Sequence, residues 1–232
     1  MTSFAFKQFK IDQNHAAMKV STDGIMFGAW VSLRGTKRVL DIGAGTGLLS
    51  LMVKQRAPSL AVSAIEIDDL AIKDARHNFE QSPWSDIKLY HQAVQGFENG
   101  KKFDLIISNP PYFQDSLKGN NTQRNTARHT DSLSFSELIE AFLRLSSETA
   151  RLAIILPYDG AQVFIEQAQC QGLYLVRQCE VNTTPTKPVS RLMFELSKYA
   201  EPLKTESLCI YDMSNQYSEL YTKLCRDFYL KM

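Results

Sequence analysis

Short apolar runs alternate with helix-like stretches along most of this chain, and that alternation constrains its fold more than any other feature. Val39-Leu40-Asp41-Ile42, Ala61 to Glu66, Ile87 to Tyr90, Phe103 to Ser108 and Leu152 to Leu156 read as strands. Between them Leu48 to Arg56, Leu70 to Glu80, Leu138 to Thr149 and Ala161 to Gln171 read as helices, with Ser134 or Ser136 as an N-cap and Gly172 as a stop. The strands are continuous apolar runs rather than apolar–polar alternations, so both of their faces must be covered. Leu173 to Val181 and Arg191 to Ser197 follow as a strand pair around the proline-containing stretch 182–188, and Tyr217 to Tyr229 reads as a closing helix. The expected architecture is a doubly wound α/β fold: a mostly parallel seven-stranded sheet with an antiparallel C-terminal hairpin.

Composition narrows the class. With 44% hydrophobic and 22% charged residues, a chain of 232 residues can bury a sizeable core. Its 26 Lys and Arg against 25 Asp and Glu leave a net charge of +1, so a nucleic-acid partner would have to use a local patch. Cys170, Cys179, Cys209 and Cys225 show no C-x-x-C spacing and no neighbouring histidine pair; they read as reduced, packed thiols, and no metal site is expected. No apolar stretch reaches the roughly 18–20 residues of a membrane span. The opening residues lack a signal-peptide pattern, so the expectation is a cytoplasmic protein with no membrane partner and no obligate protein partner.

The first strand runs into the turn Gly43-Ala44-Gly45-Thr46-Gly47, where glycines let the backbone approach a ligand and take positive φ. Glu66 ends the second strand about 20 residues on, where a carboxylate can accept ribose hydroxyls. A dinucleotide fingerprint would be G-x-G-x-x-G; here the spacing is G-x-G-x-G, and Asp41 precedes it by two residues. That acid would repel a pyrophosphate but suits a cofactor bearing an ammonium group and a positive sulfur, which describes S-adenosylmethionine (SAM). Asp68 reads as a helix cap.

The fourth strand delivers Asn109-Pro110-Pro111-Tyr112 to the same sheet edge. Two prolines stiffen the backbone and fix the direction of its carbonyls, and the residue before Pro110 is biased to extended geometry. An amide, fixed acceptors and an aromatic ring suit the grip of a flat, amino-bearing group, although Asn-Pro also starts ordinary turns.

Residues 38–157 resemble class I SAM-dependent methyltransferases: Asp41 to Gly47 matches their first motif, Glu66 their ribose acid, and Asn109 to Tyr112 the motif of amino-group methyltransferases. The resemblance implies that Asp41, Gly43, Gly45 and Gly47 hold the methionine part of the cofactor. It also implies that Asn109 and Pro110 accept hydrogen bonds from the target amine while Tyr112 stacks on it. Over nearly the whole length the chain is similar to the small bacterial family that N6-methylates adenine 37 of a valine tRNA. That similarity rests on Met18 to Trp30, Asp104 to Phe113, Gln123 to Arg128 and the Tyr-rich tail from Asn215. It adds Thr22, Asp23 and Gly24 to the expected cofactor contacts. Such enzymes often carry an acid after the third strand that meets the cofactor adenine; here His91-Gln92-Ala93 offers none.

An exposed adenine in an anticodon loop reaches a recessed site at little unstacking cost, whereas a paired base does not. Phe113, Lys118, Arg124, Arg128, Lys187 and Arg191 are the candidate RNA contacts, by stacking or by phosphate binding. Residues 1–36 are expected to form an N-terminal extension packed on the cofactor and RNA side of a single methyltransferase domain, 37–232. Alternative readings are a release-factor glutamine methyltransferase, a DNA adenine-N6 methyltransferase, and a non-enzymatic SAM-binding module that docks RNA. The first two usually need an extra domain, for which the chain leaves little length.

Overall fold

A computed structural model describes residues 3–111 and 133–232. The chain opens with a hairpin of β1 (Ser3–Ala5) and β2 (Lys10–Asp12), in which Phe4 faces Ile11. It continues through α1 (Thr22–Trp30), β3 (Arg38–Ile42), α2 (Leu48–Arg56), β4 (Ala61–Glu66), α3 (Ala71–Gln81) and β5 (Lys88–His91). The second half comprises β6 (Phe103–Ser108), α4 (Phe135–Leu145), β7 (Ser146–Pro157), α5 (Tyr158–Cys170), β8 (Tyr174–Asn182), β9 (Val189–Ser197), β10 (Lys204–Cys209) and α6 (Glu219–Cys225).

The strands β3 to β10 form one sheet in the order β10-β8-β9-β7-β6-β3-β4-β5. From β7 to β5 all neighbours are parallel, and β9 is antiparallel to both β7 and β8. The expected sheet is therefore present, but with eight strands rather than seven: β10 adds to the edge, parallel to β8. Its residues Lys204 to Ser207 are exposed, so it carries no apolar run by which a sequence pattern could reveal it. After β5 the chain crosses back to lay β6 on the other side of β3, which opens a crevice at the carboxyl ends of β3 and β6.

Alternate residues of the central strands serve two cores. Leu105 and Ile107 join Phe27, Leu49 and Met52 on the face covered by α1 and α2. Leu40 and Ile106 join Phe142, Leu152 and Phe164 under α4 and α5. Burying a side chain such as Phe142, with no exposed surface, is worth about 3 kcal/mol. α4 starts at a capping box, with Ser134 Oγ accepting from Glu137 N–H, and it stops at Leu145 rather than Thr149.

Helix α1 has no polar face: Gly24 to Trp30 are all buried. Ser21 caps it by accepting from Gly24 N–H at 3.2 Å. Gly28 lets it press on α2, since a Cβ there would stand 2.6 Å from Met52 Sδ. At its far end Arg56 donates to the Gly28 and Val31 carbonyls, Arg177 lies 4.0 Å over the Trp30 ring, and Trp30 Nε1 donates to Glu206. These ties satisfy carbonyls at the helix end and fix it against the sheet, so its N-terminus has a defined place at the crevice.

Candidate functional site

The glycine turn is stitched to the end of β4. Gly43 and Ala44 N–H both donate to the Ile65 carbonyl, at 2.9 and 3.0 Å. Glu66 completes the seam: Oε2 accepts from Gly45 N–H at 2.7 Å, while Oε1 accepts from Ile67 and Asp68 N–H at 2.8 Å each. A carboxylate offers about four acceptor positions, so these three bonds leave room for one hydroxyl group. Asp68 Oδ1 accepts from Leu70 and Ala71 N–H in the turn that leads into α3, although the N-cap position itself is Leu70 rather than the expected Asp68.

The three glycines of the turn have positive φ, at 71°, 56° and 84°, but they serve different ends. Nothing lies within 4 Å of where a Cβ would stand on Gly43 or Gly45, so the turn presents bare backbone to open space. On Gly47 a Cβ would lie 2.3 Å from the Phe79 ring, which makes that glycine a packing requirement between α2 and α3.

Asp41 is completely buried behind the turn. Its Oδ2 accepts from Ser50 N–H at 3.1 Å and Ser50 Oγ–H at 2.7 Å, and its Oδ1 has no partner among the described residues. Burial raises its pKa to about 7 against the opposing pull of the Ser50 bonds, with a smaller push from Glu66.

A small, partly open cleft, with a cavity volume of about 50 Å³, lies in front of the turn. Gly43, Gly45 and Leu48 form its floor, Met18 to Ser21 one wall, and Gly24 and Asn109 its end. A Cβ on Gly24 would stand 3.0 Å from Leu48 Cδ2 and in ordinary contact, 3.9 Å, with Asn109 Nδ2, so this glycine packs tightly on Leu48 beside that amide. Asn109 is half-buried at the end of β6, Pro110 is buried and Pro111 exposed. Ser108, just before them, donates from Oγ to the Ile42 carbonyl at 2.8 Å and so locks the ends of β6 and β3 together.

Of the residues the sequence singles out, Gly24, Gly43, Gly45 and Asn109 line one cleft, with Asp41, Gly47 and Glu66 directly behind its floor. Thr22 and Asp23 occupy the first turn of α1. Asp23 Oδ2 accepts from Arg191 Nε at 2.8 Å, so two groups expected on different ligands pair with each other. β9 begins where β7 ends, which carries Arg191 to this same edge of the sheet. Lys187 is exposed in the β8–β9 connection, its carbonyl bound by Asn182. Tyr112, Phe113, Lys118, Arg124 and Arg128 lie outside the described residues. The role of Met18 to Ser21 as a wall and that of Ser50 as a partner escape the sequence reading; a hydroxyl in the first turn after a glycine turn is the available signal for the latter.

The donor set fits SAM. Bare backbone at Gly43 and Gly45 would give its body a floor, Glu66 has one acceptor position left, and the unsatisfied Asp41 Oδ1 puts an acidic group under that floor. Among the described residues no cluster of His, Cys, Asp or Glu is arranged to hold a metal ion, and no helix is long and apolar enough to cross a membrane.

Residues 29–132 match the family model of the methyltransferase small domain. The chain is 50% identical, over all of both chains, to a Pseudoalteromonas translucida protein named tRNA1(Val) (adenine(37)-N6)-methyltransferase. A Vibrio campbellii protein of the same name is 45% identical over 99% of this chain and 96% of its own. Among solved structures, a predicted O-methyltransferase from Agrobacterium tumefaciens superposes with a TM-score of 0.66 at 18% identity, covering 89% of this chain and 96% of its own. At that identity the likeness concerns the fold.

Proposed function

The chain belongs to the tRNA1(Val) (adenine(37)-N6)-methyltransferase family, and on that footing we infer that it transfers a methyl group from SAM to the exocyclic N6 of adenine 37 in the anticodon loop of tRNA(Val). The observation that carries the reading is the single cleft in which the glycine turn, Gly24 and Asn109 converge. When bound, SAM supplies an electrophilic methyl on a positive sulfur.

The chain's own residues bind and orient. The Gly43–Gly45 backbone bears the cofactor, Glu66 takes a ribose hydroxyl, and Asp41 supplies negative charge beneath the methionine end. At the target, an exocyclic amine is a poor nucleophile because its lone pair is drawn into the ring. Asn109 Oδ1 and the Pro110 carbonyl accept its N–H bonds, which favours a tetrahedral nitrogen and frees that pair. Two fixed acceptors at a rigid strand end need no reorganisation during reaction, so positioning and preorganised dipoles carry the catalysis. Tyr112 stacks on the base, and Phe113, Lys118, Arg124, Arg128 and Lys187 supply stacking and phosphate contacts around it. Arg191, already paired with Asp23, contributes its remaining N–H groups. Residues 1–36 act as one wall of the site in a single catalytic domain, and a tRNA substrate implies a cytoplasmic enzyme.

Incubation with methyl-labelled SAM and, separately, bulk tRNA, DNA or release factor tests this. The expected product is N6-methyladenosine at position 37 of tRNA(Val). Label in glutamine or in DNA, with none in tRNA, overturns the reading.

A further inference from the structure

Helix α3 holds the two sides of the cleft together with a pair of side chains one turn apart. Asn78 is buried and uses both ends of its amide: Oδ1 accepts from Asp12 N–H at 2.8 Å, and Nδ2 donates to the carbonyls of Asp12 and Thr46, each at 2.9 Å. It thus ties the N-terminal segment to the glycine turn itself. Asp74, also buried, accepts from His15 N–H at 2.9 Å and Ala16 N–H at 2.8 Å through Oδ2, and its Oδ1 meets His15 Nδ1 at 2.8 Å. Gln13 Oε1 then accepts from Val20 N–H at 2.7 Å, closing the segment on itself just before it becomes the wall Met18 to Ser21.

Asp12 to Ala16 gain no more than a short strand from the backbone pattern, so these side-chain bonds contribute strongly to fixing the wall. The requirement at position 78 is specific. One acceptor and two donated hydrogens are needed at once, and only an amide supplies both on that short a stem. A carboxylate of the same shape would set an oxygen against two carbonyl oxygens.

We propose that Asp74 and Asn78 are positioning residues for cofactor binding: they fix the Met18–Ser21 wall and the glycine turn at the separation that SAM requires. This rests on the reading of the cleft as the SAM site. Neither residue lines the cleft, so the effect passes through the backbone they hold.

Calorimetric titration of SAM into the full-length wild type, Asn78→Asp and Asp74→Asn tests it. Expected is a dissociation constant about tenfold or more higher in each variant, with kcat at saturating SAM changed by less than about threefold. A purely structural role would instead lower thermal stability and leave the dissociation constant alone. Wild-type protein that does not bind SAM overturns the assignment of the cleft and this proposal with it. Binding by wild type that both variants keep within about twofold overturns the clamp alone. Should the variants not fold, amide exchange in the wild type decides. Protection of the His15 and Ala16 amides to the level of α3 supports the clamp, and exchange at the rate of exposed peptide sinks it.

Discussion

Two buried acids end neighbouring parallel strands, and they are built in opposite ways. Glu66 at the end of β4 accepts three backbone N–H bonds spread over both oxygens. Asp41 near the end of β3 is more deeply enclosed, yet both of its bonds come from Ser50 and fall on one oxygen. Glu66 joins the turn to the sheet and keeps one acceptor position to spare. Asp41 carries an unmet acceptor in a dry place, and burial holds its pKa near 7. One acid is a structural seam that can also touch a ligand; the other is a charge held in reserve.

The largest expected effect comes from breaking the seam. Glu66→Ala leaves three N–H groups without their acceptor, and should lower the unfolding free energy in urea by about 4 kcal/mol while abolishing measurable SAM binding. A loss near 1 kcal/mol would mean that water replaces the carboxylate and that the two acids differ less than their geometry implies.

Asp41 should announce itself through pH. Its folded-state pKa is raised from 3.8 to about 7, so between those values the folded protein holds a proton that the unfolded chain has released. This group's contribution is then most favourable below about pH 4, falls as pH rises toward about 7, and is flat above. The span is of the order of 2–4 kcal/mol. Asp41→Asn removes that slope, so the stability profiles of variant and wild type should diverge between about pH 4 and 7, with the variant flatter. Because a cationic ligand favours the charged form, SAM should bind wild type more tightly at about pH 8 than at about pH 6. Parallel profiles for the two proteins would contradict the assignment of Asp41.

The smallest change sharpens the contrast. Ser50→Ala deletes the hydroxyl that helps Asp41 ionise, which should cost about 1 kcal/mol at about pH 8 and move the inflection of the profile to higher pH. An inflection that stays in place would point to another titrating group.

The glycine-turn side of this cleft is largely legible in the sequence because it is local. The strands β3, β4 and β6 are nearly unbroken apolar runs, and the glycine turn, Glu66 and Asn109 sit at their ends, so one pattern gives the fold and brings these residues to one edge. What escapes is structure held by distant partners. Helix α1 is buried all round and contains two glycines, which leaves no amphipathic period to read. Local propensity misleads at the end of α4 as well: the polar run Ser146 to Thr149 looks helical, yet it begins β7 because that strand extends beyond the core. The closing helix spans Glu219 to Cys225 only, since Tyr217 bridges Tyr211 and Tyr229 bridges Phe6. The wall Met18 to Ser21 depends on Asp74, which lies 59 residues along the chain from the His15 it holds, and no local pattern marks such a tie.

On the proposed function, the amide at the end of β6 activates the target amine while the glycine turn independently holds the cofactor. Single-turnover methyl transfer to tRNA(Val) by Asn109→Ala, measured beside its SAM dissociation constant, tests that most directly. Transfer should be slowed by about 100-fold or more, with cofactor affinity within about threefold of wild type. Transfer at the wild-type rate would contradict it.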